Sequence, residues 1–588
     1  MPTVSLNRDY LFAILGRVYT EEEFNDLCFD FGLELDEVTS EKEIISKEQG
    51  ADKARDASDS VIYKIDVPAN RYDLLCVEGL TRGLLIFREK MKAPIYKKVN
   101  QGVLQELHIM QSTLNVRPYA VAAVLREITF TKDIYQSFMD LQDKLHQNIG
   151  RQRSLVAIGT HDLDTVQGPF VFSADAPKSI KFRALNQSKE LNATQLMDLY
   201  STDSHLKHYL HIIRDKPAYP VIRDNKGVVL SMPPIINGDH SKITLNTKNV
   251  LIECTATDLN KATIVLDTIV CMFSQYCKQQ FCIEPVKVFG QPDCCEQPAF
   301  YPTLLYRKEV VNVDDINKTI GINQSDEKLA SLLTKMSLSS RVMDASGKYI
   351  EVEVPPTRHD VIHACDIMED VAIAYGYNNI KRTISNTNCI AGQFPINKLT
   401  DLLRENIAFA GFTECLTFAL CSRDDVGEKL RKKIEDIPAV HISNPKTLEF
   451  QIARTSLLPG ILKTIACNRR MPIPLKLFEI SDVVMKDDNM DVRCRNERRL
   501  CIVYCNKVPG FEVVHGLLDR VMQLLGVKDS EYMIVPSDDE TFFPGRCAEV
   551  RVKGHPIGKL GVLHPEVITK FELNLPCSTL EINIEPFL

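Results

Sequence analysis

The sequence predicts an α+β protein built from several domains, and three observations carry that reading. The first is size: at roughly 100 to 200 residues per domain, a chain of 588 residues makes about three to five folding units. The second is an internal repeat. LGRVYTEEEFNDLC from Leu15 is matched by IGINQSDEKLASLL from Ile320, and VPANRYDLL from Val67 by VPPTRHDVI from Val354. Gly16 thus pairs with Gly321, Thr20 with Ser325, Phe24 with Leu329, Arg71 with Arg358 and Asp73 with Asp360. Each copy reads as helix, helix, strand and a Val-Pro turn into a further helix, an order compatible with a small winged-helix-like unit. The third is that short alternating strands, separated by turn residues and interrupted by a few amphipathic helices, fill most of the remainder.

In chain order, the first unit spans residues 1–95. Leu11, Phe12 and Leu15 mark a short helix, and Thr20 with Glu23 forms a capping box for a longer one through Phe24, Leu27 and Cys28. The polar run 41–58, EKEIISKEQGADKARDAS, reads as a surface insertion. VIYKIDV then alternates as a strand, and the helix after it takes its N-cap from Asn70 to Asp73. Residues 116–290 form an α+β domain with strands at AVAAVLREITF, LVAIGTHDLD, YPVIRD, GVVLSMPPII and NVLIECTATD. Two helices interrupt them, YQSFMDLQDKLHQNIG and NKATIVLDTIVCMFSQYC, the latter opened by Thr257 or Asp258. Residues 300–383 hold the second repeat copy. Residues 387–588 open with NKLTDLLRENIAFAGF, ended by Gly411 at C′. Helices near Leu457 to Cys467 and Phe511 to Leu525 follow, among strands at LTFALCS, AVHISNP, LKLFEISDVVMK, LCIVYCN, CAEVRVKG, IGKLGVL and STLEINIEPF. This part reads as an antiparallel sheet with helices.

Composition narrows the function. Seventy basic against 78 acidic side chains give a net charge of −8, which disfavours a protein held to nucleic acid by bulk positive charge, so any RNA contact is local. Eighteen cysteines among 588 residues are too few for a disulfide scaffold and lack the C-x-x-C spacing of zinc sites, so most are expected to be reduced. The N-terminus has no signal-peptide pattern and no segment is apolar enough to span a membrane, which predicts a soluble, cytoplasmic protein. There is no G-x-x-x-x-G-K-[ST], G-x-S-x-G or H-E-x-x-H; GHPIGKL at Gly554 is one residue short of a P-loop. The basic run RCRNERR at Arg493 could meet phosphate, but a charged loop is more often just solvated.

Three constellations carry candidate chemistry. In RHDVIHACDIMEDVAIAYGY, Asp366, Glu369 and Asp370 fall at i, i+3 and i+4 with Asp360 upstream, so carboxylates project from one side of a helix. Such repulsion is reversed by a cation, and the all-oxygen set fits Mg²⁺ better than zinc. The alternative is a solvated acidic face, with Asp360 as an N-cap and Arg358 neutralising a neighbour. GTHDLD sets His161 beside Asp162 and Asp164, which could polarise water or bind a polar ligand, although neighbours on a strand point oppositely and a turn is the better reading. PPIINGDHS places Asn237 and Gly238 in a tight turn, and VLIECT places Glu253 on an apolar strand, where it lines a pocket or forms an ion pair.

VPANRYDLLCVEGLTRGL and VPPTRHDVIHACDIMEDVAIAYGYNNI, with NGDHSKITLNTKNVLIECT and ISNPKTLEFQIARTSLLPGILKTI, closely resemble the β subunits of phenylalanine-tRNA ligases of the eukaryotic cytosolic type. The likeness runs the length of the chain, through GKLGVLHPEVITKFEL. It implies an (αβ)₂ heterotetramer in which the α subunit carries the class II site for ATP-dependent attachment of phenylalanine to its tRNA. Residues 387–588 would then be a degenerate class II synthetase-like domain, with Arg454 and Glu479 as scaffold rather than ATP ligands. The middle domain would be an editing-type module that hydrolyses tyrosine mis-attached to that tRNA, and Asn237, Gly238 and Glu253 fall where bacterial relatives place editing residues. The family's Mg²⁺ ligands match Asp360, Asp366, Glu369 and Asp370; the first copy has Asp73 but Gly79, Arg82 and Gly83 in place of further acids, so no metal is expected there. A non-catalytic nucleic-acid-binding or scaffold protein built on two winged-helix-like units and a free-standing aminoacyl-tRNA hydrolase are the competing readings.

Overall fold

The computed structural model describes the chain except residues 1, 44–57, 101, 293–297, 344–346, 385–386 and 388, so most of the predicted insertion at 41–58 lies outside the described residues. The chain divides into two compact units, Met1–Ile384 and Ser385–Leu588.

The first repeat copy comprises β1 (Thr3–Asn7), α1 (Arg8–Leu15), α2 (Glu21–Phe31), β2 (Glu34–Ser40), β3 (Val61–Asp66) and α3 (Val77–Phe87). Asn7 caps α1, and the Thr20–Glu23 capping box opens α2 as the spacing predicted. The strand that begins the copy was not legible in the sequence. The predicted N-cap is also displaced: α3 starts at Val77 with no side-chain cap, because the Asp73 carboxylate is held by Arg71 at 2.8 and 2.9 Å.

Between the copies lies an eleven-stranded sheet. Its main path uses β4 (Glu106–Ile109), β5 (Tyr119–Leu125), β6 (Val156–Asp162), β7 (Phe170–Asp175), β8 (Tyr219–Arg223), β9 (Val229–Met232), β10 (Ile236–Asn237), β11 (Val250–Ala256) and β12 (Cys282–Phe289), in the order β10-β9-β8-β7-β4-β12-β5-β11-β6. Two helices cover it: α4 (Lys132–Gln147), capped by Thr131, and α5 (Leu259–Phe273), capped by Asp258. Phe138 of α4 meets Phe273 of α5 edge to face at 4.8 Å. Both rings are fully buried, each stabilising the core by about 1.5 to 3 kcal/mol.

The second copy repeats the first: β13 (Arg307–Asn312), α6 (Val313–Ile320), α7 (Asp326–Lys335), β14 (Ser339–Val342), β15 (Tyr349–Val354) and α8 (Ala364–Tyr375). Its strand order, β13-β15-β14, matches β1-β3-β2. Gly16 and Gly321 both end a helix with φ of 68° and 79°, where a Cβ would be strained. Thr20 and Ser325 are both N-caps, and Phe24 and Leu329 are both fully buried.

The C-terminal unit is built on α9 (Pro395–Phe409), β16 (Thr413–Glu414), α10 (Leu458–Cys467), β17 (Leu475–Lys486), β18 (Cys494–Cys505), α11 (Phe511–Leu524), β19 (Tyr532–Pro536), β20 (Phe542–Val552), β21 (His555–Leu563) and β22 (Cys577–Asn583). Its seven-stranded sheet has the order β16-β17-β18-β22-β21-β20-β19, antiparallel except for the short β16 against β17. Gly411 follows the C-cap of α9 in the left-handed region, as expected. LTFALCS and AVHISNP, read as strands, supply only Leu420–Cys421 and a single bridge at His441. RCRNERR is not a loop but falls largely on β18, where Arg495 and Arg499 pair with Glu497, and Arg498 with Asp482.

Candidate functional site

β11 is buried along its whole length, yet it carries Glu253, 3% exposed, in the middle. A carboxylate there must be met by a partner or serve a ligand. Ser231 of β9 donates to its Oε1 at 2.9 Å, while Oε2 has no partner among the described residues. Directly opposite on β6 stands Gly159, whose missing side chain makes room: a Cβ would lie 2.1 Å from Glu253 Oε1. His161, fully buried, bonds Ser241 Oγ through Nδ1 at 2.8 Å and leaves Nε2 unpartnered 3.8 Å from Glu253.

Glu253 borders a cavity of about 130 Å³ with apolar walls from Ile158, Leu185 and Ile235 and polar groups from Asn237, Thr160, Gln142, His146 and Arg153. Of the three predicted editing residues, Asn237 and Glu253 thus share one cavity. Gly238 does not line it, and the turn sits at Pro233 to Ile235 rather than at Asn237 and Gly238. Gly238 is required for close packing, since its Cβ would meet the Val229 carbonyl at 2.7 Å. His161 and Asp162 do not act together: Asp162 accepts from Thr247 Oγ1 and the Asp164 N–H, on the other side of the strand from His161.

Gln142, Asp143 and His146 on α4, and Arg153 after it, were missed in the sequence. The signal was present, because Gln142 and His146, 5% and 6% exposed, follow Phe138 in steps of four on the buried side of α4. Arg117 supports this wall from below, fully buried and donating to Thr255 and to the carbonyls of Arg153 and Ser154; burial lowers its pKa to about 10. His146 accepts from the Ile158 N–H through Nε2 at 2.9 Å. Burial first, then Arg153, lowers its pKa to about 4 against the pull of Asp143. Burial, then Arg307, does the same to His359 in the second repeat, to about 4.

Both imidazoles have folded values below the unfolded value of about 6.5, so the unfolded chain binds more protons between those limits. Their contribution is therefore complete above about pH 6.5 and is lost as pH falls toward 4. Each should remove about 2 kcal/mol from the N-terminal unit between pH 7 and pH 5. Urea midpoints at the two pH values test this, and His359→Leu should flatten the slope; equal slopes would refute it.

The four carboxylates expected to share Mg²⁺ do not converge. Arg358, 2% exposed in its side chain, takes the place of a cation between Asp360 at 2.7 Å and Asp370 at 2.6 Å. Asp366 accepts from the N–H groups of Ile362 and His363 as part of a capping box, and Glu369 is exposed. Among the described residues no group of three or more His, Cys, Asp or Glu is placed to hold a metal. Helical spacing aligned Asp366, Glu369 and Asp370, but a guanidinium two residues from Asp360 satisfies that carboxylate at shorter range. As arranged, these residues do not fit the ion.

The C-terminal unit has a larger cleft, about 390 Å³, lined by Lys432, Glu497, Arg499, Asp539, Lys559 and Glu581. These charges pair with one another: Lys559 with Asp539 at 2.8 Å, Lys432 with Asp539 at 3.4 Å, and Arg499 with Glu497 at 2.7 Å and Glu581 at 3.3 Å. Arg454 and Glu479 are likewise turned onto each other at 2.8 Å, 6% and 1% exposed, with Thr417 bonded to both. Glu479→Ala would strand a buried guanidinium and should destabilise this unit by about 3 to 5 kcal/mol in denaturant melts; an unchanged midpoint would contradict the scaffold role.

Family models match in four places: the Phe-tRNA synthetase beta subunit B1 domain over residues 1–90, the B3/4 domain over 116–277, the tRNA synthetase B5 domain over 310–377 and the phenylalanyl tRNA synthetase beta chain CLM domain over 380–584. The phenylalanine–tRNA ligase beta subunits of Mus musculus and Homo sapiens are 65% and 64% identical, over the whole of each chain. That of Arabidopsis thaliana, named cytoplasmic, is 47% identical over the same extent. A solved N-terminal fragment of the Pyrococcus horikoshii phenylalanyl-tRNA synthetase β-subunit superposes with a TM-score of 0.55 at 29% identity, covering 64% of this chain and 99% of its own. With full-length identity at that level and family domains along the whole chain, this protein belongs to the phenylalanine–tRNA ligase beta subunit family.

Proposed function

We propose that the chain is the β partner in an (αβ)₂ enzyme that attaches phenylalanine to its tRNA with ATP, and that the Glu253 cavity hydrolyses tyrosine mis-attached to that tRNA. The unpartnered Oε2 of Glu253, which borders a cavity walled in part by Ile158, Leu185 and Ile235, carries the editing reading. Tyrosine differs from phenylalanine by one hydroxyl, and a buried acceptor that only the hydroxyl can satisfy favours the tyrosyl ester. The volume suits one ring, since an engineered cavity of about 150 Å³ holds benzene. Gly159→Ala should push the Glu253 carboxylate out of place and slow deacylation of tyrosylated tRNA by more than about tenfold; an unaltered rate would remove Glu253 from the site.

The charging site belongs on the α subunit, in keeping with a C-terminal cleft whose charges are used up internally. Leu402 and Phe409 form an exposed apolar stripe on α9, and Leu416 and Phe418, 81% and 80% exposed, follow on the next segment. Such a surface suits a permanent partner, and Phe409→Glu with Phe418→Glu should lower the yield of assembled enzyme on co-expression, read as native mass. The domain division 1–95, 116–290, 300–383 and 387–588, with winged-helix-like first and third units and a degenerate class II synthetase-like last one, belongs to this proposal, as does a cytoplasmic location. Mg²⁺ at Asp360, Asp366, Glu369 and Asp370 is decided by metal analysis. With Arg358 in place, the β chain alone should carry no stoichiometric magnesium.

A further inference from the structure

We infer that His146 is a second reader of the Glu253 cavity: its Nδ1–H donates to the carbonyl oxygen of the ester whose hydroxyl Glu253 accepts. The inference rests on the editing reading. The Ile158 N–H can only donate, so the Nε2 it meets at 2.9 Å carries no proton. In the neutral ring the proton therefore sits on Nδ1, and the backbone fixes this tautomer. Among the described residues that buried Nδ1 has no hydrogen-bond partner, and the Asp143 carboxylate stands at 4.0 Å.

His146 and Glu253 both line the cavity, and each carries a buried orphan polar atom, a donor on α4 and an acceptor on β11. Each leaves a desolvation cost that a matching ligand would relieve. A ligand satisfying both must offer a hydroxyl and an acceptor-only oxygen around a ring-sized apolar body, which describes a hydroxylated aromatic aminoacyl ester and excludes a purely hydrocarbon side chain. In the hydrolysis, the water oxygen bonds to the acyl carbon and the acyl C–O bond to the ribose breaks. The products are the free acid and the ribose hydroxyl, which between them take the two protons of the water. His146 keeps its own proton throughout and stabilises charge growing on the carbonyl oxygen, as a donor aimed at an oxyanion does. Arg153, beside it and over the Tyr209 ring at 4.4 Å, adds positive potential at the same wall.

The test uses the assembled enzyme with tyrosylated and phenylalanylated tRNA. Glutamine can present an acceptor where Nε2 stood and so keep the Ile158 bond without the Nδ1 donor; asparagine does the reverse. H146Q, with the melting temperature of the wild type, should lose about 10²- to 10³-fold in kcat for tyrosyl deacylation with little change in KM, while H146N keeps most of the rate. If H146Q fails to assemble, a folded H146N decides alone: a rate within a few-fold of wild type upholds the donor, and loss of the rate overturns it. Full activity in H146Q with a slow H146N would also overturn it and leave His146 a support for Ile158. A wild-type enzyme that never deacylates tyrosylated tRNA would remove the editing reading itself, whereas deacylation lost in E253A but intact in H146Q removes only the role of His146.

Discussion

Arg358→Met should destabilise the N-terminal unit by about 3 to 5 kcal/mol, among the largest effects expected of any single substitution in the chain. Arg358 donates to Asp360 through Nε and Nη2, to Asp370 at 2.6 Å and to the Met336 carbonyl at 2.7 Å. Both carboxylates are nearly buried, 8% and 5% exposed in their side chains. Burial pushes the Asp370 carboxyl above its usual range even with Arg358 in contact. The equivalent Arg71 and Asp73 of the first repeat lie close enough to act on Arg358 and Asp360. Two guanidinium groups and three carboxylates therefore share one buried neighbourhood with a balance of −1 (2 − 3), which the substitution makes −2 (1 − 3). A methionine fills the space without cancelling charge, so the carboxylates must take up protons or the repeats must open. Urea unfolding of the full chain gives the number. A loss under about 1 kcal/mol would mean that something else neutralises the cluster, and recovery of the variant by excess Mg²⁺ would identify that agent as the ion.

That cluster also shows how far the sequence was legible. Local rules survived: Thr20 with Glu23, Gly411 after α9 and Asp258 before α5 each did what their positions demanded, because a cap depends on three or four neighbouring residues. The repeat was legible because Arg71 and Arg358 sit in matching motifs. What the pattern left open was where individual side chains reach, near or far along the chain. The acids of α8 could be placed on one side of a helix, but whether they met a cation or a guanidinium depended on where the Arg358 side chain reached. Leu416 and Phe418 alternate as a strand should, yet find no sheet edge and remain exposed. His146 is a polar residue on an amphipathic helix, and its hydrogen bond comes from Ile158, twelve residues on.

Glu253→Ala should collapse the discrimination between tyrosyl and phenylalanyl esters, and from both sides. A site that hydrogen-bonds a hydroxyl rejects the analogue lacking it by as much as about 10⁴- to 10⁵-fold, since the analogue leaves a buried polar group unpaired. Removing Glu253 withdraws the acceptor that favours tyrosine and also the unpaired carboxylate that penalises phenylalanine. Tyrosyl deacylation should therefore fall while phenylalanyl deacylation rises, and their ratio should drop by at least about a hundredfold. Stability should move little, because among the described residues the Oε2 that is lost had no partner and Ser231 Oγ alone is left without its bond. The rise on phenylalanyl-tRNA is the discriminating result. A general loss of both activities would assign Glu253 to the chemistry of hydrolysis, and a fall on tyrosine alone would mean that the cavity excludes phenylalanine by some other group.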